Sequence, residues 1–270
     1  MDLKNRLRLF IFNLLGQENV NKLRYMKFKY KFNKFLRYQD KNIFVKKFSK
    51  FYEPEMAVIP KIVHNPEVII DIGANYGPYS FFLSKLYPEA RIFAFEPAKS
   101  SYYILKRITK EFNLSNVTLL KKGLGAKEEK KDIITPLQYT ILAYVSGKNI
   151  QKSSKDSVEE IEITTLDKFF VRNKISKIDF IKCDVEGFEL EVFKGAKKTI
   201  RKFKPLILVE IEERHTKKYG INPDKVMKFF KGLGYNYYSL KNENVEKTDK
   251  ITKEIPLYLF AHKKVKITSS

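Results

Sequence analysis

The sequence contains no tryptophan, one cysteine and three histidines in 270 residues. The lone cysteine, Cys183, cannot close an intrachain disulfide, and no Cys-x-x-Cys pair exists to hold a structural zinc. Such sparse cysteine usage fits a reducing compartment. No run of 18 apolar residues occurs, so no transmembrane helix is expected. A secretory signal is not expected either. The apolar run Leu9–Leu15 is short, Asn13 interrupts it, and no small-residue cleavage site follows. The chain is accordingly read as cytoplasmic, with peripheral membrane contact as an option through its first 50 residues. With 43% hydrophobic and 31% charged residues it is neither disordered nor collagen-like, and its length suits one large domain with a small appendage.

Acidic residues are also scarce. Asp and Glu total 31 against 53 Lys and Arg, a net charge of +22. Only nine of the 53 are arginine. The lysine bias, with many Ile, Phe, Tyr and Asn, is the pattern an AT-rich coding sequence produces. The charge still favours anionic partners: phosphates, acidic glycans or a lipid surface. Half of it sits in residues 1–50, where 14 basic residues face only Asp2, Glu18 and Asp40. Aromatics and lysines interleave there, as in Tyr25-Met26-Lys27-Phe28-Lys29-Tyr30-Lys31-Phe32. Leu3, Leu7, Phe10, Ile11, Leu14 and Leu15 fall on one helical face. Three readings of this segment stand side by side: a helical cap on the main domain, an interfacial helix on an anionic membrane, and a nucleic-acid patch. Residues 1–55 are set apart as a basic helical extension, and residues 56–270 as the main domain.

From about residue 55 the pattern is alternating α/β. Buried strands are expected at Val68–Ile72, Arg91–Phe95, Val117–Leu120, Ile178–Cys183 and Leu206–Val209, separated by helical lengths. Tyr235–Leu240 and Pro256–Ala261 read as two further strands that pair antiparallel. The polar stretch Gln151–Glu160 reads as a surface loop. No internal repeat is visible.

The most informative segment is Val-Ile-Ile-Asp-Ile-Gly-Ala-Asn-Tyr-Gly-Pro-Tyr-Ser, residues 68–80. A strand runs into Asp71, Gly73 and Gly77 bracket a turn, and Pro78 opens a helix through Lys85. In open parallel sheets, ligands bind beyond the carboxyl ends of the strands. Glu96 stands at the end of the second strand, where an acidic residue takes ribose hydroxyls. Asn75 occupies the place of the central glycine of a dinucleotide fingerprint, and no Gly-Lys-Ser/Thr phosphate loop is present. The loop begins with the carboxylate of Asp71, which suits a cationic amino-acid moiety better than a pyrophosphate. Adenosine joined to a cationic amino acid is S-adenosylmethionine.

These residues resemble a known family. Asp-Ile-Gly-Ala-Asn-Tyr-Gly (71–77) is similar to the first motif of class I S-adenosylmethionine-dependent methyltransferases, in the form typical of the FkbM-type family. Phe95-Glu96-Pro97, Thr165-Leu166-Asp167 and Gly195-Ala196 resemble further elements of that family. Residues 179–189, Asp-Phe-Ile-Lys-Cys-Asp-Val-Glu-Gly-Phe-Glu, resemble its hallmark Asp-x-x-Lys-x-Asp-Val-Glu-Gly-x-Glu, and Leu208-Val209-Glu210-Ile211 its next strand. The resemblance covers residues 66–262. It implies a Rossmann-like methyltransferase fold: a mostly parallel seven-stranded sheet, last strand antiparallel, with helices on both faces. It also implies methyl transfer to oxygen, often on sugars, glycans or small natural products.

The candidate cofactor residues are Asp71, Gly73, Asn75, Gly77 and Tyr79 from the first loop and helix, Glu96 and Pro97 from the second strand, Gly123 and Leu124 after the third, and Asp184. The loop Lys121–Ala126 carries no acidic residue to meet an adenine. Candidate catalytic residues are Asp184, Glu186 and His215, because an alcohol acceptor must lose a proton as it is methylated. In a regular strand, positions 184 and 186 share a face. Either carboxylate could bind the acceptor or a divalent cation, although no metal ligand set is assigned. Glu189 and Glu191 suit a helix start. His64 and His262 fall outside the expected site, and Cys183 reads as a small buried residue. The acceptor is read as a saccharide, glycan or glycan-lipid hydroxyl. A nucleic-acid methyltransferase competes on charge, though no Asn/Asp-Pro-Pro-Tyr/Phe motif follows the fourth strand. A non-catalytic nucleoside- or glycan-binding module docked on a membrane competes as well.

Overall fold

The computed structural model describes residues 3–136, 143–147, 156–241 and 243–265, without the side chains of residues 3–15 and 17. Helices α1 (Leu3–Leu36), α2 (Lys41–Phe51) and the short α3 (Ile59–Ile62) precede the first strand. Then come β1 (Val68–Ile72), α4 (Pro78–Leu86), β2 (Arg91–Phe95), α5 (Lys99–Glu111) and β3 (Val117–Leu120). Next are β4 (Gly123–Leu124), β5 (Glu129–Thr135), β6 (Tyr144–Val145), β7 (Ser157–Thr164) and α6 (Leu166–Arg172). The second half runs β8 (Phe180–Cys183), α7 (Glu189–Lys194), α8 (Lys197–Phe203), β9 (Leu206–Glu210), α9 (Glu213–Thr216) and α10 (Asp224–Lys231). It ends with β10 (Asn236–Lys241), β11 (Asn244–Lys247) and β12 (Leu257–Ala261).

The large sheet has the order β3-β2-β1-β8-β9-β12-β10-β11. Strands β3, β2, β1, β8 and β9 are parallel, and β12 lies antiparallel between β9 and β10. Every residue of β1 is buried, as expected of a central parallel strand covered on both faces. Alternate residues feed opposite faces. Ile69, Phe180, Leu208 and Leu259 meet α4 and α5 on one side. Ile70, Phe93, Ile181, Val209 and Phe260 meet α6, α7, α8 and α10 on the other.

Two features depart from the seven-stranded expectation. The edge hairpin adds β11 as an eighth strand, antiparallel to β10. A second, four-stranded sheet, β4-β7-β5-β6, is inserted between β3 and α6. Part of its strand β7 falls in the stretch read as a polar loop, whose residues 151–155 lie outside the described residues. The strand buries Ile161 and Ile163 on one face while Glu160 and Glu162 face solvent. Such a one-sided strand has half the apolar signal of a buried one, so it reads as loop.

The N-terminal helices share the main core. After a kink at Gly16, α1 buries Asn21, Tyr25, Phe28, Phe32 and Phe35, a stripe at alternating spacings of four and three. Phe32 is fully buried and stacks on Phe81 of α4, with ring centres 4.6 Å apart. That burial stabilises the contact by about 2–3 kcal/mol. Phe28 stacks on Tyr76 of the glycine loop at 3.6 Å. Asp40 caps α2 by accepting from Ile43 N at 2.9 Å. The apolar face expected at Leu3–Leu15 lies outside the described side chains.

Candidate active site

A cleft opens at the carboxyl ends of β1, β2 and β8, the place ligands take in open α/β sheets. Ile72, Gly73 and Asn75 line it from the first loop, Phe95, Glu96 and Pro97 from the second strand, and Asp184, Val185 and Glu186 from the loop after β8. Leu124, Ile133, Val145 and Phe188 form an apolar side wall, so the inserted sheet closes one flank of the cleft.

The glycine loop is built by close approach. Gly73 has φ 72°, and a Cβ there would stand 1.8 Å from the carbonyl oxygen of Asp184. Only glycine lets the two loops cross at this distance. The backbone N–H groups of Gly73 and Ala74 both donate to Phe95 O, pinning the loop to β2. Asn75 N donates to Glu96 Oε2 at 2.8 Å, and Ala98 N donates to Glu96 Oε1 at 2.8 Å. Each carboxylate oxygen keeps a further lone pair. Burial pushes the Glu96 carboxyl up to about 7, against the pull of those two N–H groups. Asn75 Oδ1 accepts from Ser101 Oγ at 3.0 Å.

Lys182 sits behind this wall and organises it. It is 5% exposed. Its Nζ donates to Gly73 O at 3.1 Å, and stands 3.5 Å from Asp184 Oδ2 and 3.8 Å from Asp71 Oδ1. It also lies 4.9 Å from the centre of the Tyr79 ring. Burial pulls its pKa down, but Asp184, Asp71, Glu53 and Glu210 outweigh burial and hold it above the ordinary lysine value. Asp71 is fully buried, accepts from Ser80 Oγ at 2.6 Å and does not line the cleft. It therefore supports Lys182 and the loop rather than facing a ligand. Tyr79 is likewise buried and donates to Glu53, and Gly77 caps α4. None of these three lines the cleft.

Asp184 and Glu186 reach the cleft by a route different from strand alternation. Strand β8 ends at Cys183, and Glu186 adopts a left-handed backbone with φ 57°. Such a conformation costs a non-glycine residue about 1–2 kcal/mol, and strain of this kind clusters at functional sites. Gly187 follows with φ 102°, where a Cβ would meet His215 O at 2.4 Å. The turn is held from below by Glu189, whose Oε1 accepts from Gly187 N at 2.9 Å. Burial pushes the Glu189 carboxyl up to about 7. Glu186 Oε2 contacts His215 Nδ1, and both side chains are mostly buried. His215 itself stands behind Glu186 rather than on the cleft lining.

Glu210, at the end of β9, faces Asp184 and Glu212. Burial, then Asp184, push its carboxyl well above the ordinary carboxylate range. Arg214 chelates Glu212 from Nε and Nη2. His64 and His262 line a separate groove with Lys204 and Leu206, at the opposite end of β9. Cys183 is fully buried, and burial pushes its thiol up.

Sequence reasoning missed the roles of Lys182, Glu53, Glu189 and Glu210. Lys182 and Glu210 had a signal, a charged residue within or ending an apolar strand. Glu53 had none.

The family model for the methyltransferase FkbM domain matches residues 71–237, more than half of the chain. The chain belongs to the FkbM methyltransferase family. Among FkbM-related and other methyltransferases, it is 31% identical to methyltransferase sdnD of Sordaria araneosa, over 51% of this chain and 62% of that protein. It is 26% identical to the hexuronic acid methyltransferase AglP of Haloferax volcanii, over 60% of each. The chain spans about three fifths of the length of these two curated relatives. A crystal structure of an FkbM methyltransferase from Methylobacillus flagellatus aligns with TM-score 0.48 and 16% identity, covering 83% of this chain and 55% of that one.

Within the FkbM motifs of this chain, some residues build and others face the cleft. Asp179 accepts from the N–H groups of Glu67 and Val68 at 2.8 and 3.0 Å, fixing the start of β1 against β8. Thr165 caps α6 by accepting from Lys168 N. Asp167 caps α8 by accepting from Lys198 N and Thr199 N. Asp184 and Glu186 are the hallmark carboxylates that reach the cleft.

Proposed function

We propose that the chain binds S-adenosylmethionine in this cleft and methylates a hydroxyl oxygen of a saccharide. The observation that carries the reading is the charge of the lining: three carboxylates, Glu96, Asp184 and Glu186, against one lysine, Lys122, face one cleft beside a glycine loop. A pyrophosphate would be repelled there, whereas a sulfonium and an ammonium are attracted. When bound, the cofactor supplies an electrophilic methyl carbon.

The residues divide the work. Glu96 offers its remaining lone pairs to ribose hydroxyls. Leu124, Ile133, Val145 and Phe188 offer an apolar slot for the purine. Asp184, oriented by Lys182, draws the cationic end. Glu186 and His215 act as a pair: His215 is held by its Nδ1 on the carboxylate, and the pair takes the proton from the acceptor hydroxyl. In this reading residues 56–270 form the methyltransferase domain, and residues 1–55 a helical layer packed on it. The name of the Haloferax volcanii relative, a hexuronic acid methyltransferase, supports a sugar acceptor. The nucleic-acid patch read in residues 1–50 loses three of its rings, because Tyr25, Phe28 and Phe32 are buried, and keeps Tyr30.

Calorimetric titration of S-adenosylmethionine and S-adenosylhomocysteine tests the cofactor. One-to-one binding that is lost in Glu96→Ala is expected, and no heat with either ligand rejects the reading. Incubation with labelled cofactor and a panel of uronic-acid and neutral glycosides then tests the acceptor class. Label transfer only to RNA would reject the saccharide.

A further inference from the structure

The sequence placed an apolar face at Leu3–Leu15, and the described surface of α1 carries a separate argument. Opposite its buried stripe, α1 presents Leu23, Met26, Lys27, Tyr30 and Lys34 at helical spacing. Leu23 is 50%, Met26 61% and Tyr30 65% exposed. Among the described residues, six of the eight large exposed hydrophobic side chains lie between residues 23 and 51: these three with Leu36, Ile43 and Phe51. Scattered apolar residues need no explanation, but Leu23, Met26 and Tyr30 are neighbours at spacings of three and four on one helix face, and a contiguous apolar stripe marks an interaction surface.

Lysines accompany it. Lys22 and Lys29 pair with Glu18 and Glu111. Lys27 and Lys34 are exposed, and among the described residues no carboxylate forms an ion pair with either. Lys34 Nζ lies 4.6 Å from the centre of the Tyr30 ring.

We propose that this face of α1 docks on an anionic lipid surface. Met26 and Tyr30 enter the headgroup region, and Lys27 and Lys34 meet lipid phosphates. A second copy of the chain fits this face poorly, because each copy carries +22 and would bring like charges together. Single-stranded nucleic acid needs a row of open rings, and Tyr30 is the one ring on this stripe that is open. The other face of the same helix stacks Phe28 on Tyr76, so the thickness of one helix, about 10 Å, separates the docking face from the glycine loop. The inference stands whatever the acceptor or cofactor.

Co-sedimentation of the full chain with vesicles of phosphatidylcholine, alone or mixed with phosphatidylglycerol, tests it. Sedimentation is expected only with phosphatidylglycerol, and salt weakens it. The double variant K27Q/K34Q is expected to lower partitioning about 25-fold, from about 1 kcal/mol per lysine. M26E/Y30E is expected to lower it at least as much. The control V171E, at an exposed site on α6, is expected to leave it within about twofold. All four substituted sites are exposed, so both variants should keep the parent's circular dichroism and melting midpoint. A parent that sediments with neither vesicle overturns the proposal. Equal partitioning of parent and stripe variants overturns it by assigning the binding to another basic surface, and an equal loss in V171E does the same. Retention on polyuridylate without vesicle binding overturns it in favour of nucleic acid.

Discussion

The hydroxyl of Tyr79 donates a hydrogen bond to Glu53 Oε2 at 2.5 Å, across 26 residues of chain. It joins the N-terminal helical layer to the charge cluster behind the cleft. Glu53 lies outside the segment matched by the family model, yet its carboxylate adds to the field that keeps Lys182 charged. Burial pushes the Glu53 carboxyl up, while Tyr79 and Lys182 pull it down. Glu53→Leu leaves the Tyr79 hydroxyl without its acceptor and is expected to cost about 1–3 kcal/mol in denaturant melts. Glu53→Gln keeps an acceptor oxygen and should cost less. Equal losses in the two variants would show that charge rather than the hydrogen bond is what matters.

Among the described residues, Lys182 is the one cation that Asp71 and Asp184 share. Lys182→Met removes it and leaves buried carboxylates uncompensated. The expected loss is about 3–5 kcal/mol of stability, as for a broken buried ion pair. Adding Asp71→Asn to Lys182→Met should recover part of it. A double variant less stable than Lys182→Met would contradict the pairing.

Stability should depend on pH through Glu96 and Glu189. Both carboxyls are raised from 4.5 to about 7 in the fold, so the folded state prefers them protonated. The stability this preference contributes is fully present below about 4.5, declines as pH rises through about 7, and is lost above it. Each group can account for up to about 3 kcal/mol, at 1.36 kcal/mol per pKa unit. The melting midpoint of the ligand-free protein should therefore fall between about pH 5 and pH 8. Glu96→Gln should flatten that slope, and an unchanged slope would mean that Glu96 titrates normally.

The Glu186–His215 pair should control turnover rather than cofactor affinity. His215→Asn and Glu186→Gln are each expected to lower kcat by about 10²–10⁴. Affinity for S-adenosylhomocysteine should stay within about threefold of the parent, as expected for groups that act on the acceptor. A pH–rate profile whose acidic limb, the loss of rate as the base is protonated, disappears in His215→Asn would support the base. Equal loss of cofactor binding would move the pair into the cofactor site.

Much of the fold was legible because its signals are local. Val68–Ile72 reads as a buried parallel strand since four of its five residues are β-branched and apolar, and the structure buries all five, Asp71 included. Residues Tyr235–Leu240 and Pro256–Ala261 were read as an antiparallel pair, which β10 and β12 form. The second sheet was not legible, because Ser157–Thr164 is apolar on one face only and its pairing with β5 is set by tertiary contact. At the site, Gly73, Asn75, Glu96, Asp184 and Glu186 share a cleft, while Asp71, Gly77, Tyr79 and His215 stand behind its walls. Motif positions do not distinguish those two layers, since lining and support residues alternate along the same loops.

The sequence by itself determined the order of the five parallel strands, the glycine turn after β1 and the acidic residue after β2. Each of these depends on patterns within about a dozen residues, where apolar spacing and turn chemistry leave few conformations. Only the tertiary structure decided that Glu53, Asp71, Asp184 and Glu210 surround one buried ammonium, and that Glu186 turns back to meet His215. Those relations join groups far apart in the chain. Their strength comes from burial, which makes a charge costly alone and stable only beside its partner.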